Sequence, residues 1–227
     1  MILINAHTHT APDNEPGRLA LVNLKPGTQL RAKAGSSLFS CGIHPADTPL
    51  FSLRELRETV TGTPCSAIGE CGLDARAAVP LEQQEEGFLA QILLSEELRL
   101  PMVIHCVRKD YEIIRLRKET SAKMPWLIHG FRGKQQTGMA LLNAGCLLSL
   151  SPVWLLHQTS FPSWLPADSF LLETDESPLP LSELYSFTAQ LRGESMESLS
   201  ELLQNNFCRF LRLEEISLAG NRPDRFN

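Results

Sequence analysis

The chain has 227 residues, 43% of them hydrophobic, so it can bury a full core in one large domain or two small ones. A formal charge of −5 argues against a surface that coats nucleic acid through clustered Lys and Arg. It leaves room for a small cationic pocket, because bound metal ions carry charge that a residue count omits.

The N-terminus opens on Met-Ile-Leu-Ile without basic residues and runs straight into polar ones, so neither a signal peptide nor a membrane anchor is expected. A cytoplasmic protein is the default. Six cysteines, Cys41, Cys65, Cys71, Cys106, Cys146 and Cys208, show no C-x-x-C pairing and read as reduced thiols at buried positions.

In chain order, eight short apolar runs bounded by polar residues, Gly or Pro read as buried strands. They are Ile2–Asn5, Leu19–Leu24, Leu38–Gly42, Ser66–Gly69, Met102–Ile104, Trp126–Ile128, Cys146–Leu150 and Ser169–Leu172. Between them, Leu53–Thr59, Leu81–Leu98, Tyr111–Lys118 and Gln135–Asn143 carry apolar residues at helical spacing, and Leu181–Leu191 and Met196–Leu213 follow as closing helices. Alternating strand and helix predicts an α/β fold with a parallel sheet, and eight strands suffice to close a barrel; an open doubly wound sheet is the competitor. Thr10–Arg18 is too Pro-rich for a crossover helix and Lys25–Ser37 has room only for a short one, so the first quarter of a barrel is abbreviated. No linker, repeat or low-complexity stretch divides residues 1–227, which read as a single domain.

Ionisable residues collect where these strands end. His7 and His9 follow the first strand, His44 the third, Glu70 the fourth, His105 the fifth, His129 the sixth and Asp175 the eighth. In a parallel barrel all C-terminal strand ends share one face, so these groups converge above the core. His7 and His9, two apart, point to the same side of a strand. Taken singly, each has an ordinary explanation as a core histidine, a helix cap or an ion-pair partner. Their shared position points instead to a metal site of imidazoles and carboxylates, suited to zinc, manganese, iron or magnesium.

The motifs "AHTH", "GIHP", "AIGECGLD", "LPMVIHC" with Arg108 just after, "LIHGFRG", "LLETDESPL" and "NNFCRFL" span most of the chain. In this set and order the sequence resembles the TatD family of metal-dependent deoxyribonucleases, within the amidohydrolase-like TIM-barrel hydrolases. The resemblance implies an (α/β)8 barrel with two divalent metal ions (Mg, Mn or Zn) at its mouth. His7 and His9 would hold one ion and His105 and His129 the other. Glu70 would lie between or beside them, and Asp175 would complete the site and orient or deprotonate the attacking water. His44 would face the scissile phosphate. The implied activity is a 3′–5′ exonuclease on single-stranded DNA ends; a monomer is expected.

Arg108, Arg132 and Lys134 stand on loops beyond the fifth and sixth strands, where they either hold a substrate phosphate or are ordinary solvated charges. Glu173, two before Asp175, would orient a ligand histidine or serve as a buried structural acid. Cys71 and Cys106 adjoin proposed ligands but face away from them on a strand, which suits packing rather than nucleophilic chemistry. Trp154, His157, Phe161 and Trp164 would either stack on bases at the rim or pack a covering segment.

Two departures from the family stand out. Asn5 occupies the position where the family usually has Asp, which would weaken the first metal position because an amide cannot raise imidazole basicity as a carboxylate does. The chain is also short around the first helix, between strands seven and eight, and after strand eight. Two alternatives follow: a hydrolase of small-molecule C–N, ester or lactone bonds, and a non-catalytic, partner-dependent subunit of a nucleic-acid-processing complex.

Overall fold

The computed structural model describes residues 1–10, 17–28 and 37–213. Eight strands form one parallel sheet in sequential order: β1 Leu3–Thr8, β2 Arg18–Leu24, β3 Ser37–Cys41, β4 Cys65–Asp74, β5 Met102–Val107, β6 Trp126–Phe131, β7 Cys146–Leu150 and β8 Phe170–Leu172. The ends of this sheet meet at a parallel bridge between Thr8 and Asp175, where the Asp175 N–H donates to the His7 carbonyl at 3.1 Å. The result is the nearly closed barrel of the TIM type, rather than the open sheet.

Helices cover the outside: α1 Leu53–Gly62, α2 Leu81–Leu98, α3 Asp110–Glu119, α4 Gln135–Asn143, a four-residue α5 Pro152–Leu155, α6 Leu181–Arg192 and α7 Met196–Leu211. Local chemistry sets several of their ends. Ser52 accepts the Glu55 N–H while Glu55 accepts the Ser52 N–H, a reciprocal cap that starts α1. Gly193, at φ 69°, ends α6 in a left-handed conformation that costs glycine nothing. Among the described residues, no helix is long and apolar enough to cross a membrane.

Because helices cover the sheet, the strands are apolar on both faces, and Ile4, Leu21, Ile68, Ile104, Leu127 and Leu148 are fully buried. Trp126 packs on Phe88 of α2 with ring centroids 5.5 Å apart. Between β7 and β8 the connection holds only α5 and the 3-10 turn Ala167–Ser169, so this crossover is abbreviated. Most of the two early connections, residues 11–16 and 29–36, lies outside the described residues.

Four strands run further than their apolar runs predict. β1 continues to Thr8, β4 to Asp74, β5 to Val107 and β6 to Phe131, so His7, Glu70, His105 and His129 sit inside strands rather than after them. The apolar run marks only the stretch under the helical layer. The backbone ladder carries on into the polar mouth, where side chains face the barrel axis.

Candidate metal centre

Glu70 stands at the middle of the barrel mouth. β4 carries an extra residue against β5: Ile68 pairs with Met102 but Cys71 pairs with Ile104, so Glu70 lies in a bulge. Its own N–H donates to Asn23 Oδ1 at the end of β2, 2.6 Å away. Gly72 makes the close approach of β4 to β5 possible: at φ 140°, a Cβ there would meet the His105 carbonyl oxygen at 2.1 Å.

Around this carboxylate the histidines of three strand ends and one loop converge. Oε1 lies 2.6 Å from His105 Nδ1, 2.8 Å from His129 Nε2 and 3.6 Å from His44 Nε2. Oε2 lies 3.5 Å from His7 Nε2 and 3.4 Å from His9 Nε2. Asp175 Oδ1 faces the same two imidazoles at 3.7 and 3.5 Å. The structure therefore brings His7, His9, His44, Glu70, His105, His129 and Asp175 into one cluster, all but the fully buried His7 lining a cleft of about 750 Å3.

Electrostatics follow from this crowding. Burial opposes the charged form of Glu70, but His129, His105 and His7 outweigh it and hold the carboxyl well below its ordinary value. Asp175 and Glu70 push His9 up to about 10. Burial works against the charged form of His129, yet Glu70 and Glu173 raise it well above the usual imidazole value. His44 is pushed down by burial. Its Nδ1 accepts the Ala46 N–H at 3.1 Å, which leaves any proton of the neutral ring on Nε2, facing Glu70.

The donor set fits a divalent cation. His7 is fully buried, yet neither of its ring nitrogens has a hydrogen-bond partner, a costly state for an imidazole unless a ligand fills it. Groups whose donor atoms all lie within 4.8 Å of one another are His7, His9 and Asp175; His7, Glu70 and His129; His44, Glu70 and His105; and His129, Glu173 and Asp175. Several of these atoms are buried, so a cation here would be held largely out of solvent.

Supporting contacts surround the cluster. Glu173, fully buried, accepts the Gly130 N–H at 2.6 Å and has the same Oε1 3.5 Å from His129 Nδ1. Asp74 Oδ2 lies 3.1 Å from His105 Nε2. Burial opposes the charge on Asp74, but hydrogen bonds from Arg76 and His105 bring it down to about 2. Neither Asp74 nor Asn23 was expected at the site. Asp74 had a signal, since it lies four residues after Glu70 in one strand, and Asn23 is a polar residue within an apolar run. Asn5 bonds a neighbour rather than an imidazole: its Oδ1 accepts the Thr174 N–H at 3.0 Å and its Nδ2 donates to Thr174 Oγ1 at 2.7 Å.

The cations divide. Arg108 and Arg132 line the cleft above the cluster, whereas Lys134 does not reach it and faces a neighbouring depression together with Arg132. Trp154 and Trp164 both set an edge against Phe131, at 5.9 and 6.3 Å, and Phe161 packs on Phe170 at 5.0 Å, so these aromatics do pack a covering segment. His157 is exposed and bonds the Val153 carbonyl. Cys71 is fully buried with its thiol raised well above the ordinary value by burial, and no disulfide joins any cysteine.

The sequence model of a family described as TatD related DNase matches residues 18–212. The chain belongs to the TatD family. Among its relatives is the uncharacterized metal-dependent hydrolase YcfH of Escherichia coli strain K12, 26% identical over 90% of this chain and 86% of the relative. Another is the 3′-5′ ssDNA/RNA exonuclease TatD of Pectobacterium parmentieri, 28% identical over 77% of each chain. The crystal structure of the TatD homologue YJJV from Escherichia coli K12 superposes with a TM-score of 0.75 at 20% identity, over 93% of this chain and 98% of that one, which shows the shared fold. This TatD-family protein is a metal-dependent hydrolase, with buried His, Glu and Asp clusters able to hold metal.

Proposed function

We propose that the protein is a divalent-metal-dependent phosphodiesterase that removes nucleotides from the 3′ ends of single-stranded DNA. The observation that carries this is the pairing, in one cleft, of the Glu70-centred cluster with the free guanidinium groups of Arg108 and Arg132. Among the described residues neither arginine has an ion-pair or hydrogen-bond partner, as a group that waits for a phosphate would be.

In this scheme His7 and His9 would hold one ion and His105 and His129 the other, with Glu70 and Asp175 completing the donor set. Divalent ions bound there would supply hydroxide from water at neutral pH and offset charge developing on the phosphate oxygens. Asp175 is held below its ordinary value, chiefly by His9 against the effect of burial, so it is ionised at neutral pH and free to take the water's proton. His44, neutral with its proton on Nε2, donates to the scissile phosphate or its leaving oxygen. Glu173 and Asp74 hold the imidazoles of His129 and His105 in orientation. Arg108 and Arg132 fix the phosphate from the rim.

The test uses single-stranded oligonucleotides labelled at one end or the other, with the protein loaded with Mg²⁺ or Mn²⁺. Nucleotides should be released stepwise from the 3′ end and release should stop on chelation. Asp175→Asn should lower turnover by roughly 10²–10⁴-fold, the usual contribution of a general base. Protein that binds metal but cleaves only esters, lactones or amides from a substrate panel would overturn the phosphodiesterase assignment.

A further inference from the structure

Beside the metal cleft lies a second depression of about 610 Å3, within the ~300–1,000 Å3 of small-ligand sites. Arg132 and Gly133 line both, so the two lie side by side along this loop. Its walls come from the start of α4 and from the short segment that replaces a full crossover between β7 and β8. Trp154, Trp164 and Phe161 supply aromatic surface, and Arg132 and Lys134 supply charge. In a chain of net charge −5, among the described residues no carboxylate lines this depression and neither cation has a partner.

Rigidity accompanies the aromatic wall. Trp154 and Trp164 are both braced edge-on against Phe131, at interplanar angles of 70° and 69°. Trp164 also lies over Gly138 of α4, where a Cβ would come within 2.4 Å of its ring. Both indoles remain half-buried, with part of their surface left to the depression. A flat ring laid on a braced indole loses little side-chain entropy on the protein's side, and a phosphate attached to it finds two unengaged cations.

We propose that this depression holds the nucleotide next to the one being cleaved, its base on the indole surface and its phosphate on Arg132 and Lys134. The inference rests on the phosphodiesterase reading and adds to it a second subsite, which would make the enzyme prefer strands over isolated phosphodiesters. Charge and surface both fit: a recess beside the reaction cleft with two cations, aromatic faces and, among the described residues, no carboxylate suits a phosphate-linked base and suits a cationic ligand poorly.

Two readouts decide it. Trp126 is fully buried, so tryptophan quenching in the Mg²⁺-loaded protein by phosphorothioate-linked pentathymidylate, which resists cleavage, reports on Trp154 and Trp164. Quenching should saturate, and both Trp154→Leu and Ser160→Glu should weaken the affinity about tenfold, as loss of one stacked base or an added repulsive charge does. Ser160 is exposed and makes no hydrogen bond among the described residues, so its variant keeps the fold if Trp154→Leu does not. In turnover, the same variants should raise KM for pentathymidylate about tenfold while leaving hydrolysis of bis(p-nitrophenyl) phosphate unchanged. Absence of quenching, or equal losses on the strand and the small diester, would overturn the subsite. If the loaded protein cleaves neither substrate, the phosphodiesterase reading fails, and the quenching titration still judges the recess by itself.

Discussion

Asn5 sits where the resemblance to the family leads us to expect an acid, and its amide is spent on Thr174 rather than on an imidazole. Two consequences belong to this single residue. Asn5→Ala strips the Thr174 N–H of its acceptor in a buried place and should cost about 1–3 kcal/mol, read as a lower urea midpoint at unchanged slope. Asn5→Asp keeps that acceptor and lets the Thr174 hydroxyl donate instead, so stability and metal affinity should both stay near those of the parent chain. A rise in affinity would restore the expectation that the amide weakens the ion nearest His7. Glu173 is the contrasting case, since its carboxylate faces His129 Nδ1 at 3.5 Å. Glu173→Gln retains an acceptor for the Gly130 N–H but loses the charge behind the imidazole, and metal affinity measured by titration should fall about 10–100-fold.

At the scale of elements, β4 decides the site. It is the longest strand, Cys65–Asp74, and its bulge between Ile68 and Cys71 turns Glu70 toward the imidazoles while Asp74 reaches His105 from further along the strand. That arrangement depends on how closely β4 lies against β5. Gly72→Ala would add a methyl group 2.1 Å from the His105 carbonyl oxygen at a backbone angle that L residues rarely adopt, so the two strands must part. Loss of both thermal stability and metal binding is the expected outcome, seen together in melting curves and metal content. A variant that melts like the parent and binds metal normally would show that β4 is not held by this contact.

For the whole molecule the weak place is the seam between first and last strands. Side chains from outside the sheet do the work a ladder does elsewhere: Tyr185 of α6 accepts the Ile4 N–H and donates to the Ile4 carbonyl, and Ser200 of α7 donates to the Ile2 carbonyl. The late helices are thus part of barrel closure and not only its cover. A cation at the mouth would tie β1, β4, β5 and β6 to the end of β8 across the same seam. Because such a cation binds the folded chain alone, 100-fold excess over Kd adds about 2.7 kcal/mol, and chelation should lower the melting temperature accordingly. Unchanged melting with and without Mn²⁺ would mean that the mouth does not hold the ion.

The eight strands were legible in the chain because burial on both faces of a parallel sheet writes itself as unbroken apolar runs, and α2 and α4 matched their periodicity residue for residue. The chemical types at the mouth were legible too, since a barrel sends every strand's C-terminal residue to one face. What sequence did not reveal are the contacts that depend on register and distance: Asp74 behind His105, Asn23 under Glu70, Asn5 on Thr174, and Lys134 turned away to the neighbouring recess. A bulge shifts which residues face each other across two strands without changing the apolar pattern of either. By itself the sequence determined the barrel, its polar rim and the family; the tertiary structure alone decided how that rim is divided between a histidine–carboxylate cluster, its supports and a second cleft, because those divisions are set by through-space packing of residues distant along the chain.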